Sequence, residues 1–187
     1  MKERSDLHEG RLLAVYLNDH LTGANAGVSL IRRMVRHHRG SPMEPQLERL
    51  AAQIAEDRDS LREVMTALDI PAMHARTVLG RIGEMASRLK LNGRLVSRSP
   101  LSDVIELEAM RLGVEGKAAL WRSLQSIATT DARLDRSCID RLLERAQRQA
   151  GLLESLRTAA SDRVFAPAVR RTQTRVLAES APGGKVA

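Results

Sequence analysis

Asp19 and His20 stand side by side in the stretch YLNDHLTGANAGVSL, residues 16–30, where a helical pattern calls for apolar side chains. Asp57, Glu108 and Gln149 fall at comparable places in three further helical segments. A carboxylate inside a helical core is costly unless it holds a cation, shares a proton or meets a basic side chain. Asp19, His20, Asp57 and Glu108 together offer oxygen and imidazole donors suited to iron or manganese. The same positions with Gln149 instead compose a hydrogen-bonded polar layer, because an amide both donates and accepts. In that reading Arg58, Arg111 and Arg145 are near enough in sequence to neutralise the acids, and the layer sets helix register as polar residues do in coiled coils. Glu115, seven residues after Glu108, shares its helix face and is the alternative acid from that helix.

Four long helices must position these residues. The first is predicted over about 6–39 and stops at Gly40, with Ser41, Pro42 and Pro45 forming the turn. Ser41 and Glu44 have capping-box spacing, with Pro45 favouring a slightly later start. The second helix runs to about Asp69 and is ended by Pro71. Residues 72–91 carry a weaker apolar pattern (Met73, Val78, Leu79, Ile82, Met85, Leu89) that includes Gly80 and Gly83 and predicts a short helix. Ser99 and Pro100 suit the cap and first turn of a third helix reaching about Ala128. Thr130 or Asp131 then caps a fourth, ending near Ala160. The expected organisation is one helical domain over residues 1–162 and a basic, largely disordered tail over 163–187, where periodicity fades and Pro and Gly accumulate.

Connection lengths predict the topology. The short links after the first and third helices make two antiparallel hairpins. The link between the hairpins is long enough to return the chain along the bundle, since roughly 20 helical residues rise about 30 Å.

The second helix has a seam at 47, 50, 54, 57, 61, 64 and 68, apolar except for Asp57. Shifted by 92 residues, the fourth helix repeats it from Ile139 to Ala160, with Gln149 as the interruption. A shift of 89 lays the first helix over the third, so that Asp19 falls on Glu108 and Gly27 on Gly116. On the first helix His20 falls on the seam Leu13, Leu17, His20, Ala24, Gly27, Ile31, and Asp19 flanks it.

Two hairpins, a long crossover and one mid-helix polar residue per helix resemble the ferritin-like superfamily over roughly residues 6–160. The resemblance implies an all-α four-helix bundle, two antiparallel hairpins joined by a long crossover containing a short helix. Members with di-iron or di-manganese centres take a Glu from each of two helices and Glu-x-x-His from each of the others. Asp19 and Glu108 match the two single carboxylates. Ser60 stands three residues after Asp57 and Leu152 three after Gln149, so neither Glu-x-x-His pair is present. The expectation is a non-enzymatic bundle with a polar layer in place of a complete centre, acting through protein contact as a homodimer or with another protein. The alternative is a reduced metal site on Asp19, His20, Asp57 and Glu108 that supports binding or redox chemistry.

Composition agrees with the helical class. Aromatics make up only 2% of 187 residues. The single cysteine, Cys138, reads as a small helical side chain. No run of about 18 apolar residues and no apolar leader occurs, which predicts a cytoplasmic protein without a membrane span. The net charge of +7 concentrates in RRMVRHHRG, residues 32–40, and in the tail. Zinc-finger spacing, an RNP motif and a helix-turn-helix are all missing, which makes a nucleic-acid contact the weaker reading of that charge. Gly23, Gly27, Gly113 and Gly116 lie inside helices at a cost in propensity, for which close helix packing is the expected compensation. A narrow channel beside Gly23 is the alternative. His37 and His38 read as solvated cations favoured by a helix C-terminus.

Overall fold

The structure, a computed structural model, describes the backbone of residues 2–73 and 99–180 and the side chains of 10–73, 99 and 101–166. Four helices and no strand occur among the described residues: α1 (Lys2–His37), α2 (Glu44–Ala67), α3 (Pro100–Ile127) and α4 (Arg136–Ser180). The short helix predicted within 72–91 lies outside them.

Helix ends follow local chemistry, with three differences from expectation. After α1, Gly40 takes a left-handed φ of 74°, the conformation that costs glycine least. Glu44 opens α2 but does not close a capping box with Ser41. Its carboxylate instead accepts the Gly40 N–H at 2.6 Å, which ties the turn from the other side. α2 ends in a Schellman arrangement, with Ile70 N–H donating to Met65 O at 2.8 Å and Asp69 at φ 57° in the place glycine usually fills. α4 is capped by neither Thr130 nor Asp131. Asp135 is the cap, accepting the N–H groups of Ser137 at 2.8 Å and Cys138 at 3.2 Å. The Ser137 hydroxyl and these amides hold the Asp135 carboxyl below its ordinary range. Asp131 is drawn to Arg133, which lowers it to about 2. The largest difference is at the far end, where α4 continues through Ser180. The segment read as a tail from residue 163 is therefore helical over 163–180.

Cross-helix contacts set the directions. Tyr16 and Ser123 hydroxyls are 3.4 Å apart, Arg33 pairs with Glu106 at 3.1 Å, and His38 with Asp103 at 3.3 Å. α1 and α3 are therefore antiparallel. Asn18 meets Pro71 beyond the end of α2, Gln125 on α3 meets Asp140 on α4, and Arg145 on α4 meets Glu56 on α2. Every adjacent pair runs antiparallel, so α2 and α3 point the same way. His38 is correspondingly a contact between α1 and α3, while His37 alone is exposed as expected.

The core lies along the common axis. Leu17, Leu21, Val28, Ile31 and Met34 from α1 meet Leu47, Leu50, Ile54, Leu61 and Met65 from α2. Leu107, Met110, Val114, Trp121 and Leu124 from α3 and Ile139, Leu142, Ala146, Leu153 and Leu156 from α4 complete it. The α1 stripe is rotated from the predicted seam: Leu21 and Val28 are buried, where His20 and Gly27 were expected.

The four glycines do not mark close packing against the described residues. In the register set by Tyr16–Ser123 and Arg33–Glu106, Gly23 is level with Gly116 and Gly27 with Gly113. Among the described residues, nothing lies within 4 Å of a Cβ built at any of the four. Gly23→Ala and Gly113→Ala are each expected to stabilise the chain by about 0.5–1 kcal/mol, measured as a higher urea midpoint at unchanged slope.

Candidate functional site

Asp57 and Gln149 occupy matching places on α2 and α4 and meet in the core, each only 2% exposed. Gln149 Nε2 donates to Asp57 Oδ2 at 3.1 Å and to Gln53 Oε1 at 3.2 Å. Its Oε1 accepts from Lys117 Nζ at 2.5 Å. Lys117 also bonds Asp57 Oδ2 directly. On the other carboxylate oxygen, Arg145 Nε donates to Asp57 Oδ1 at 2.7 Å, while its Nη1 reaches Glu56 Oε2 at 3.0 Å. The layer thus holds two acids, Asp57 and Glu56, against two bases, Lys117 and Arg145, and both ends of the Gln149 amide are occupied.

Burial pushes the Lys117 ammonium below its ordinary value, the Asp57 carboxylate pulls it back up by charge and hydrogen bond, and Arg145 adds to the lowering. This balance is expected where a lysine leaves water but finds a carboxylate at once. The four-carbon stem of Lys117 lies with the core while its charged end reaches the acid.

Lys117 is the member that sequence reasoning missed. Its signal was present: Leu107, Met110, Val114, Lys117, Trp121 and Leu124 are spaced by threes and fours, so Lys117 interrupts the α3 seam as Asp57 interrupts that of α2. Of the three arginines expected to neutralise the acids, only Arg145 reaches Asp57. Arg58 is turned to Asp59 at 2.9 Å, and Arg111 lies 3.4 Å from Glu154.

The remaining candidates lie elsewhere. Asp19 is exposed. His20 is half-buried with its ring edge-on to Tyr16, centroids 4.5 Å apart. Burial lowers the His20 imidazole below its ordinary value, partly offset by Asp19. Glu108 is exposed on the α3–α4 edge, 3.8 Å from Arg157, and Glu115 is 3.9 Å from Arg111. Asp19, His20, Asp57 and Glu108 therefore do not converge, and among the described residues no three His, Cys, Asp or Glu side chains are grouped to hold a metal ion. The donor set does not fit a di-iron or di-manganese centre: its single buried carboxylate is filled on both oxygens by cations.

The residue that answers for the stretch 16–30 is Asn18, beside Asp19. It is buried, and its Nδ2 donates to Ala14 O at 2.9 Å and Pro71 O at 3.2 Å, while Oδ1 accepts the Met73 N–H at 2.6 Å. One amide side chain thus seats the chain that leaves α2 against α1.

Large apolar side chains are exposed at Leu12 and Val15 on α1, at Met73 beyond α2, at Leu101, Ile105 and Leu112 on α3, Leu112 at 73%, and at Phe165 on α4. The three on α3 are four and seven residues apart and so share one face. No described helix is long and apolar enough to cross a membrane. Compared with family models, with curated proteins and with solved structures, the chain matches none.

Proposed function

We propose that this chain is a ferritin-like bundle without a metal centre, a non-enzymatic protein that works by contact with another protein, in the first instance a second copy of itself. The observation that carries this reading is the Asp57 carboxylate. It is the one buried acid among the described residues, and Lys117 and Arg145 already neutralise it. A divalent cation there would face two fixed positive charges, and hydrogen bonds to Lys117 and Arg145 would have to break to release the ligand oxygens. The antiparallel neighbours, with α2 and α3 parallel, support the ferritin-like arrangement and a crossover between Met73 and Ser99. The outer face of α1 and α3 supports the contact, since it combines exposed Leu12, Ile105 and Leu112 with glycines that allow a partner helix to approach.

Elemental analysis after anaerobic loading with ferrous, manganous and zinc ions tests the first half. The expected result is metal well below one ion per chain. Stoichiometric metal that disappears in Asp19→Ala overturns the reading in favour of the reduced site on Asp19, His20, Asp57 and Glu108. Sedimentation velocity tests the second half: wild-type protein is expected to self-associate with rising concentration, and Leu112→Glu, a charge placed on the apolar face, to sediment as a monomer.

A further inference from the structure

Two stretches of unbalanced positive charge lie at one end of the bundle. Residues 32–39 contain four arginines and residues 163–175 contain four more, with no Asp or Glu in either stretch. Eight of the chain's thirty Lys and Arg thus stand in two stretches that hold no acid. Separated by more than 120 residues in sequence, the two stretches are brought together by the fold. α1 ends at His37, and Arg163 Nη2 lies 3.6 Å from Sδ of Met43 in the turn that follows.

Arg32 and Arg36, one turn apart on α1, are exposed on one side of it, and Arg39 is exposed in the turn that follows. No carboxylate of the described residues forms an ion pair with them or with Arg163. Arg33 and His38 are used differently, holding α1 to α3 through Glu106 and Asp103. α4 then runs on to Ser180, past the first residues of both its neighbours, Glu44 of α2 and Pro100 of α3. It carries Arg170, Arg171 and Arg175 outward from the bundle on a helix that extends about 25 Å beyond Arg163.

We propose that this end of the bundle binds nucleic acid through the phosphate backbone, without reading bases. The exposed arginines at the end of α1, Arg163 and the further arginine positions along the α4 backbone are spread over tens of ångströms, which suits a linear polyanion better than a single small anion. Apart from His37 and His38, the basic residues of both stretches are arginine, whose planar guanidinium matches phosphate with paired hydrogen bonds. The exposed positions of the last α1 turns, 32, 33, 36 and 37, are all Arg or His, and exposed Arg39 follows in the turn. A helix lying on a lipid surface needs a broad apolar face beside its basic one, and the end of α1 offers none. The inference is independent of the reading of the polar layer, which lies a bundle's half-length away.

The test is fluorescence anisotropy of labelled mixed-sequence duplex DNA and single-stranded RNA with the full chain, from about 50 to 200 mM salt. Micromolar or tighter binding at the low end is expected, falling by about 100-fold or more across that range as counterions are released. Arg36→Glu/Arg39→Glu/Arg171→Glu is expected to lose about tenfold or more at low salt and to show a shallower salt slope. Arg148→Glu, at an exposed α4 position paired with Glu144 at 3.7 Å, serves as the control and is expected to bind as wild type. Circular dichroism checks that every variant remains helical. Failure to bind at low salt, an undiminished triple variant, or an equal loss in Arg148→Glu overturns the proposal. So does tighter binding to phosphatidylserine vesicles than to either nucleic acid, which would assign the end to a membrane surface.

Discussion

Lys117→Met is expected to destabilise the bundle by about 3–5 kcal/mol, because it removes one partner of a buried ion pair and leaves the other in the core. Methionine preserves the length and apolar stem of lysine, so little of the loss comes from packing. Arg145 still reaches Asp57 Oδ1, but the second oxygen, Oδ2, and the Gln149 Oε1 lose the only cation that touches both. Asp57→Leu fails for the mirror reason, since Lys117 is then buried against Gln149 alone. The pair should not add. Asp57→Leu/Lys117→Met removes both charges, Arg145 retains Glu56 at 3.0 Å, and Gln149 retains Gln53 at 3.2 Å. The double variant is therefore expected within about 1–2 kcal/mol of wild type, with a coupling of several kcal/mol in the cycle. Urea titrations of the four proteins measure it. Additive losses would show that the layer does not act as a unit. Since small proteins are stable by only about 5–15 kcal/mol in total, either single variant is expected to unfold well below the wild-type midpoint.

Asn18→Ala is expected to cost about 1–3 kcal/mol, because the Met73 N–H and Pro71 carbonyl lose their partner on α1. Its neighbour behaves differently: Asp19→Ala changes an exposed side chain and should fall within about 0.5 kcal/mol of wild type. Hydrogen exchange gives a sharper signature than the midpoint. The Met73 amide is expected to lose protection in Asn18→Ala and keep it in Asp19→Ala. Equal effects of the two substitutions would mean that the α1 stripe is rotated as the sequence pattern predicts, with Asp19 and His20 turned inward.

That rotation shows where sequence reasoning stops. The α1 sequence offers two apolar stripes one residue apart, Leu13, Leu17, Ala24, Ile31 and Leu17, Leu21, Val28, Ile31. Neighbouring positions differ by only about 100° around a helix, and local periodicity does not choose between them. Packing against α2 and α3 does, because burying Leu21 and Val28 removes more apolar surface from water than burying His20 and Gly27. Once the helix is turned that way, Asp19 faces solvent and Asn18 faces the chain beyond α2. The same choice separates Asp19 from Asp57 and leaves the sequence-based metal set unassembled.

Lys117 marks a second limit. Its place in the α3 seam was readable, yet residue type alone assigns a lysine to the surface, since few lysines are fully buried without a partner. The partner lies on α2, sixty residues earlier, and only the tertiary arrangement supplies it. The four glycines make the complementary case: close packing was the expected compensation, and the fold turns them to an open face.

What the sequence determined by itself is local. Periodicity, Gly40, Pro71 and Pro100 specify four helices with ends within a few residues at α2 and α3, because helix punctuation acts over one or two turns. The interruptions at Asp57 and Gln149 were legible for the same reason, being breaks in otherwise apolar stripes. Which polar residues face one another, which cations neutralise Asp57, and that the turn after α1 lies beside Arg163 were decided by tertiary structure. Each depends on helix rotation and register, which are fixed by burying apolar surface across helices far apart in the chain.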